Sequence, residues 1–121
     1  MKLVYVAGKY TAKTTHEVQR NINIAWDWGC EIAKAGAFPV IPHCNTSQMQ
    51  DIQSPEFWYE GTLELLKRCD AIYMLRDWED SRGAKVELSL AKELGLEVIF
   101  QASEEVVERF RIPRMQNQLS H

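Results

Sequence analysis

Leu3-Val4-Tyr5-Val6-Ala7-Gly8 is a short, β-branched, apolar run stopped by a glycine. A strand with one wet face alternates apolar and polar residues. This run has no charged position at all, which is how a strand covered on both faces of a parallel sheet reads. Working outward, Thr14-Thr15-His16-Glu17 is a capping-box pattern in which Thr14 and Glu17 open a long helix. Val18, Ile22, Ala25, Ile32 and Ala33 form its apolar side, and Gly36 is its stop. Phe38–Ile41 reads as a second short strand. Pro39 within it points to a sheet edge, where the missing N–H costs little.

From Pro42 to Ser54 the chain is polar and irregular, and a loop of that length in a compact domain is more often functional than idle. Ser54 and Pro55 supply a cap and a first-turn proline for a helix to about Arg68, with Trp58, Leu65 and Leu66 inward. Ala71–Leu75 is the third strand, and Arg76–Asp80 a short acidic loop. Gly83–Leu94 is the next helix, ended by Gly95, and Val98–Phe100 close a fourth strand. Glu104–Arg111 can form a last short helix, before a loose tail over 112–121. Strands alternating with helices predict a parallel sheet with right-handed crossovers. The expected architecture is α/β, a three-layer flavodoxin- or Rossmann-like domain with four to five strands, spanning 1–121 around a core at about 3–101.

With 121 residues, 45% hydrophobic and 26% charged, the chain has ordinary globular composition and enough length for its own core. A net charge of -3 argues against a nucleic-acid surface, which usually needs a basic excess. The apolar runs are too short for a membrane helix. Cys30, Cys44 and Cys69 are odd in number and lack CxxC spacing, so reduced thiols in a cytoplasm are expected rather than disulfides. His43 beside Cys44 lacks the ligand spacing of a zinc site, and no metal or cofactor is expected. GKYTAKT is not a P-loop, because GxxxxGK[ST] is absent.

Glu87 is anomalous. Turned at about 100° per residue, it falls on the apolar arc made by Ala84, Val86, Leu88, Leu90, Ala91 and Leu94, with no cation one or two turns away. An unpaired buried carboxylate shifts its pKa or destabilises the fold. Either Glu87 escapes to solvent over small residues, or it lines a cleft and does chemistry. In open α/β sheets ligands bind beyond the carboxyl ends of the strands. That rule gathers Gly8–Lys13, the Pro42 loop and Arg76–Glu87 around one cleft. Ser81 and Gly83 stand at a helix N-terminus, where free N–H groups favour an anion.

VYVAGKY after strand one, PHCNT in the second loop and the spacing of Ser81, Gly83 and Glu87 in SRGAKVE together resemble the nucleoside 2-deoxyribosyltransferase superfamily. That superfamily includes deoxynucleoside 5'-monophosphate N-glycosidases, and the likeness spans about Leu3 to Phe100, nearest to small phage and bacterial relatives of uncharacterised function. The resemblance implies that Glu87 is a nucleophile attacking an anomeric carbon, the base leaving as a glycosyl-enzyme ester forms. It implies that Tyr5 positions Glu87, and that Gly8 lets the chain turn close to the ligand. Ser81, where nucleoside transferases carry aspartate, implies tolerance of a 5'-phosphate, to which Lys9 and Arg82 could add positive charge. Active relatives carry an acid eight positions before the aspartate that opens strand three; counting back from Asp70, this chain has Thr62. Glu60, Asp77 and Asp80 are the remaining candidates for that acid. The implied partners are a small-molecule nucleotide or nucleoside and further copies of the chain, with Phe57, Trp58 and Tyr59 available for a homo-oligomer interface.

Plainer readings stand beside these. Tyr5 can be core packing and Gly8 a turn glycine. Asn45 and Thr46 can serve turn hydrogen bonds as well as a ligand, and His43 can be an ordinary loop histidine. Trp58, at helical spacing with Leu65, reads as core or interface, which leaves Trp78 as the better stacking candidate. Asp77, Glu79 and Asp80 can be a solvated run. The functional expectation is an N-glycosidase or deoxyribosyltransferase, hydrolase or transferase, acting on a (deoxy)nucleoside 5'-monophosphate. The alternative is a non-catalytic nucleotide-binding module of the same fold.

Overall fold

The computed structural model describes residues 1–101. The expected helix at Glu104–Arg111 and the tail at 112–121 lie outside the described residues. Four parallel strands, β1 (Leu3–Ala7), β2 (Phe38–Val40), β3 (Ala71–Met74) and β4 (Glu97–Phe100), lie in the order β2-β1-β3-β4. Between them run α1 (Thr15–Lys34), the short α2 (Pro42–Asn45), α3 (Pro55–Lys67) and α4 (Arg82–Glu93). The strand order reverses between β1 and β3, so the switch point falls at their carboxyl ends.

Successive strand residues face opposite sides of the sheet, and the helices divide accordingly. Val4, Val6, Tyr73 and Ile99 pack with Ala25 and Ile32 of α1. Tyr5, Ala7, Ile72 and Met74 pack with Leu66 of α3 and with Ala84, Leu88 and Ala91 of α4. This is the three-layer α/β arrangement. The phase of β1 therefore sends Tyr5 toward α4. Register is fixed by Val4 beside Ala71 and Tyr5 beside Ile72 on one flank, and by Leu3 beside Phe38 on the other.

Local chemistry starts and stops the helices. The Thr14 side chain accepts from the Glu17 N–H at 3.1 Å, and Ser54 does the same for Phe57 at 3.3 Å. Gly36 and Gly95 follow α1 and α4 at φ 104° and 75°, the left-handed conformation that ends a helix.

Three details differ from expectation. Pro42–Asn45 is one helical turn, started by its proline, where the sequence read as irregular loop. Ala33, in the last turn of α1, and Leu94, at the C-cap of α4, are exposed. Gly29 is buried where α1 crosses Ile41: a Cβ there would meet Ile41 Cδ1 at 2.3 Å. No helix of the described residues is long and apolar enough to cross a membrane.

Candidate active site

A cleft of about 340 Å³ opens at the carboxyl ends of β1 and β3, where the strand order reverses. Its floor and one wall come from Val6, Gly8, Ala84 and Glu87, and the opposite wall from Pro42, His43, Trp58, Tyr59 and Thr62. Gly8 is buried because the chain there runs against the end of β3. A Cβ on it would lie 2.6 Å from Leu75 Cδ1 and 2.8 Å from Leu75 Cβ.

Glu87 lies on the face of α4 that carries Ala84, Leu88 and Ala91, and its carboxylate reaches the cleft. The Tyr5 hydroxyl, on a side chain with no solvent exposure, donates a hydrogen bond to Glu87 Oε2. Burial raises the Glu87 pKa from an ordinary 4.5 to about 7, and the bond from Tyr5, which favours the ionised form, opposes that rise. Burial, with the neighbouring Glu87 charge, pushes the Tyr5 phenol well above its ordinary range. Tyr5 is thus a fixed hydrogen-bond donor. Thr62 also lines the cleft, and its hydroxyl donates to the Tyr59 carbonyl at 2.9 Å.

The other candidate residues separate into groups. Ser81 caps α4 by accepting from the Ala84 N–H at 3.1 Å, and with Gly83 it lines the cleft. His43 is buried at the cleft wall, and its Nε2–H donates to the Lys9 carbonyl at 3.1 Å. Burial lowers its pKa, the Lys9 carbonyl and the Asp77 charge partly opposing. Asp77 is outside the cleft lining. Its carboxylate accepts from the Lys9 N–H at 3.2 Å and so ties the loop after β3 to the loop after β1. Lys9 contributes its peptide to both bonds. Arg82 and Asp80 are exposed and do not line the cleft, and Asn45 opens onto an adjoining side pocket of about 210 Å³ that shares Pro42, Thr46, Trp58 and Thr62 with it.

Trp78 is not at the cleft either. It packs beneath α4 with its ring centroid 5.7 Å from that of Phe100. The indole that lines the cleft belongs to Trp58, whose Nε1–H donates to the Gln50 carbonyl at 3.2 Å. Thr46, a possible ligand contact from sequence, lines the cleft; Tyr10, Thr11 and Gln50 also line it and were not singled out from sequence. Tyr10 had a signal, lying two residues beyond Gly8 in a loop already assigned to the site. Among the described residues no three His, Cys, Asp or Glu side chains cluster as metal ligands would.

The sheet order defines the class, a parallel α/β domain, and solved 2-deoxyribosyltransferases share its fold. A solved 2-deoxyribosyltransferase from Bacillus psychrosaccharolyticus matches with a TM-score of 0.64 at 17% identity, over 91% of this chain and 96% of that one. The 2-desoxiribosyltransferase from Leishmania mexicana matches with a TM-score of 0.59 at 20% identity, over 83% of this chain. The chain spans 63% of the length of that enzyme. No curated protein matches the chain. Residues 2–100 match the model of the family described as domain of unknown function DUF4406, and the chain belongs to that family.

Proposed function

We propose that the cleft cleaves or transfers the N-glycosidic bond of a nucleoside, most specifically a (deoxy)nucleoside 5'-monophosphate, with Glu87 as the nucleophile. One observation carries the reading: a carboxyl group with a raised pKa opens onto a cleft at the sheet's switch point, hydrogen-bonded to a buried tyrosine. Perturbed titration in a cleft marks a candidate functional group. The names of the two solved enzymes add that this fold serves 2-deoxyribosyl transfer elsewhere.

In this reading Glu87 attacks the anomeric carbon, and Tyr5 holds the attacking carboxylate in place. Water or a second base then resolves the ester, the two-step course of retaining glycosidases. Ser81 and the first N–H groups of α4 hold the 5'-phosphate. The Ser81 oxygen already accepts from Ala84, and its O–H remains to donate. Phe57 and Tyr59, both exposed on α3 beside the cleft, are the proposed contact to a further copy of the chain.

The test is release of free base from a panel of deoxynucleosides and their 5'-monophosphates, followed by chromatography, in the wild type and in Glu87→Gln. Release lost in the variant, with a covalent adduct by intact mass after incubation with a 2-fluoro sugar analogue, supports the reading. The second reading, a nucleotide-binding module without turnover, draws on Thr62 occupying the cleft where an acid is expected. It wins if nucleotides raise the melting temperature and no base is released.

A further inference from the structure

The glycosidic reading leaves one chemical question open, which is how the base departs. An ordinary neutral base leaves as an anion unless a side chain protonates it, so glycosidases pair the nucleophile with a second carboxyl group that acts as acid. Among the described residues Glu87 is the one carboxylate that lines the cleft. Asp77 is committed to the Lys9 N–H, and Asp80 lies exposed on the turn before α4.

The remaining polar groups at the cleft are hydroxyls, an amide, an indole and one imidazole, all weaker acids than a carboxyl group. Tyr5 is bonded to Glu87 itself, and Thr62 donates to the Tyr59 carbonyl. His43 uses its Nε2–H on the Lys9 carbonyl, and its Nδ1 is buried away from solvent. The walls, by contrast, suit a flat cation. Tyr10, Trp58 and Tyr59 present aromatic groups to the cleft, and Glu87 gives it a negative charge when ionised. Aromatic rings attract a desolvated cation through their quadrupole.

We propose that the cleft takes a glycoside whose leaving base is already positively charged at its glycosidic nitrogen, a pyridinium-type or ring-alkylated base, so that the bond breaks without a protein acid. This rests on the glycosidic reading above and narrows its substrate class. A Glu87 oxygen bonds to the anomeric carbon, and the electron pair of the carbon–nitrogen bond returns to the ring nitrogen. The base leaves neutral, its positive charge cancelled, and a glycosyl ester remains. Water then adds to the anomeric carbon, the carboxylate is released, and the water's second proton passes to solvent. The redox state of every atom set is unchanged, and water is the only co-reactant.

The experiment compares nicotinamide mononucleotide, a pyridinium glycoside with a 5'-phosphate, against AMP, CMP and UMP, which carry the same sugar and phosphate on neutral bases, and against their 2'-deoxy counterparts. Free base is measured by chromatography for the intact chain and for Glu87→Gln. The expected result is a kcat/KM for the pyridinium glycoside at least about 100-fold above that of any neutral-base nucleotide, abolished in the variant. Neutral-base nucleotides cleaved as fast or faster would overturn this inference and leave the glycosidic reading standing. If 2'-deoxy neutral bases are released while the pyridinium glycoside is untouched, the outcome is the same. No release from any of these substrates, deoxy or ribo, removes both.

Discussion

The Asp77 carboxylate and the Lys9 peptide N–H are joined at 3.2 Å, and the carbonyl of that same Lys9 accepts from His43 at 3.1 Å. Three loops, one after each of β1, β2 and β3, thereby meet at one residue's backbone. Asp77→Ala removes the anchor of this junction and should cost about 1–2 kcal/mol in denaturant unfolding, as a part-buried N–H loses its charged acceptor. The Asp77 charge favours the protonated imidazole while burial disfavours it. The His43 pKa should therefore fall further in the variant, an outcome read from the imidazole proton resonances across a pH titration. An unchanged His43 titration would separate the two bonds.

Glu87→Gln should be more stable than the wild type at pH 8 and nearly equal to it at pH 4. The sign follows from the raised pKa. Between its ordinary 4.5 and about 7 the folded chain holds a proton that the unfolded chain has lost, so wild-type stability declines as pH climbs through that window. At about 1.4 kcal/mol per pH unit the gap approaches about 3 kcal/mol above pH 7. Urea midpoints at several pH values measure it. A gap that stays constant with pH would show that the carboxyl group titrates normally.

Tyr5→Phe keeps the buried ring and deletes only the hydroxyl. The lost bond favoured the carboxylate, so the Glu87 pKa should move above about 7, and the rising limb of kcat/KM against pH should shift to the alkaline side. The plateau should drop roughly 10- to 100-fold, the scale of a hydrogen bond to a charged group. A lower plateau with an unmoved limb would assign Tyr5 to ligand contact instead of to Glu87.

Gly8→Ala should lower the melting temperature through contact with a single neighbour. Its new methyl would stand 2.6 Å from Leu75 Cδ1, a clash costing about 1–3 kcal/mol. Adding Leu75→Ala removes the Cδ1 and Cγ contacts and leaves only the Cβ contact at 2.8 Å, so the double variant should lose less stability than the two single losses combined. Strict additivity would place the cost in the Gly8 backbone or in the Leu75 Cβ contact rather than in the Cδ1 clash.

The architecture was largely written in local signals. Leu3–Ala7 declared a doubly covered strand by having no polar phase, and Thr14 and Ser54 announced their helices by capping chemistry. The phase of α4 set Glu87 on the buried arc before any packing was known. What stayed hidden depended on contacts between distant segments. Trp58 stands among aromatic residues of a helix and Trp78 in an acidic turn, and neither context says which one reaches the cleft. Which indole meets the cleft is decided by the Gln50 carbonyl holding one and by Phe100 covering the other. Asp77 looked like a free carboxylate in an acidic run because its partner is a backbone N–H 68 positions earlier, and no side-chain pattern records that.

Pro39 has a consequence for how the molecule behaves in a crowd. Phe38 sends its N–H inward to the Lys2 carbonyl, so the next position along the outer strand of the sheet turns its backbone outward. A proline there offers a stranger's strand no donor to grip. That flank of the sheet is closed to recruitment by a single imino acid, which guards the protein against templated fibre growth from its own edge.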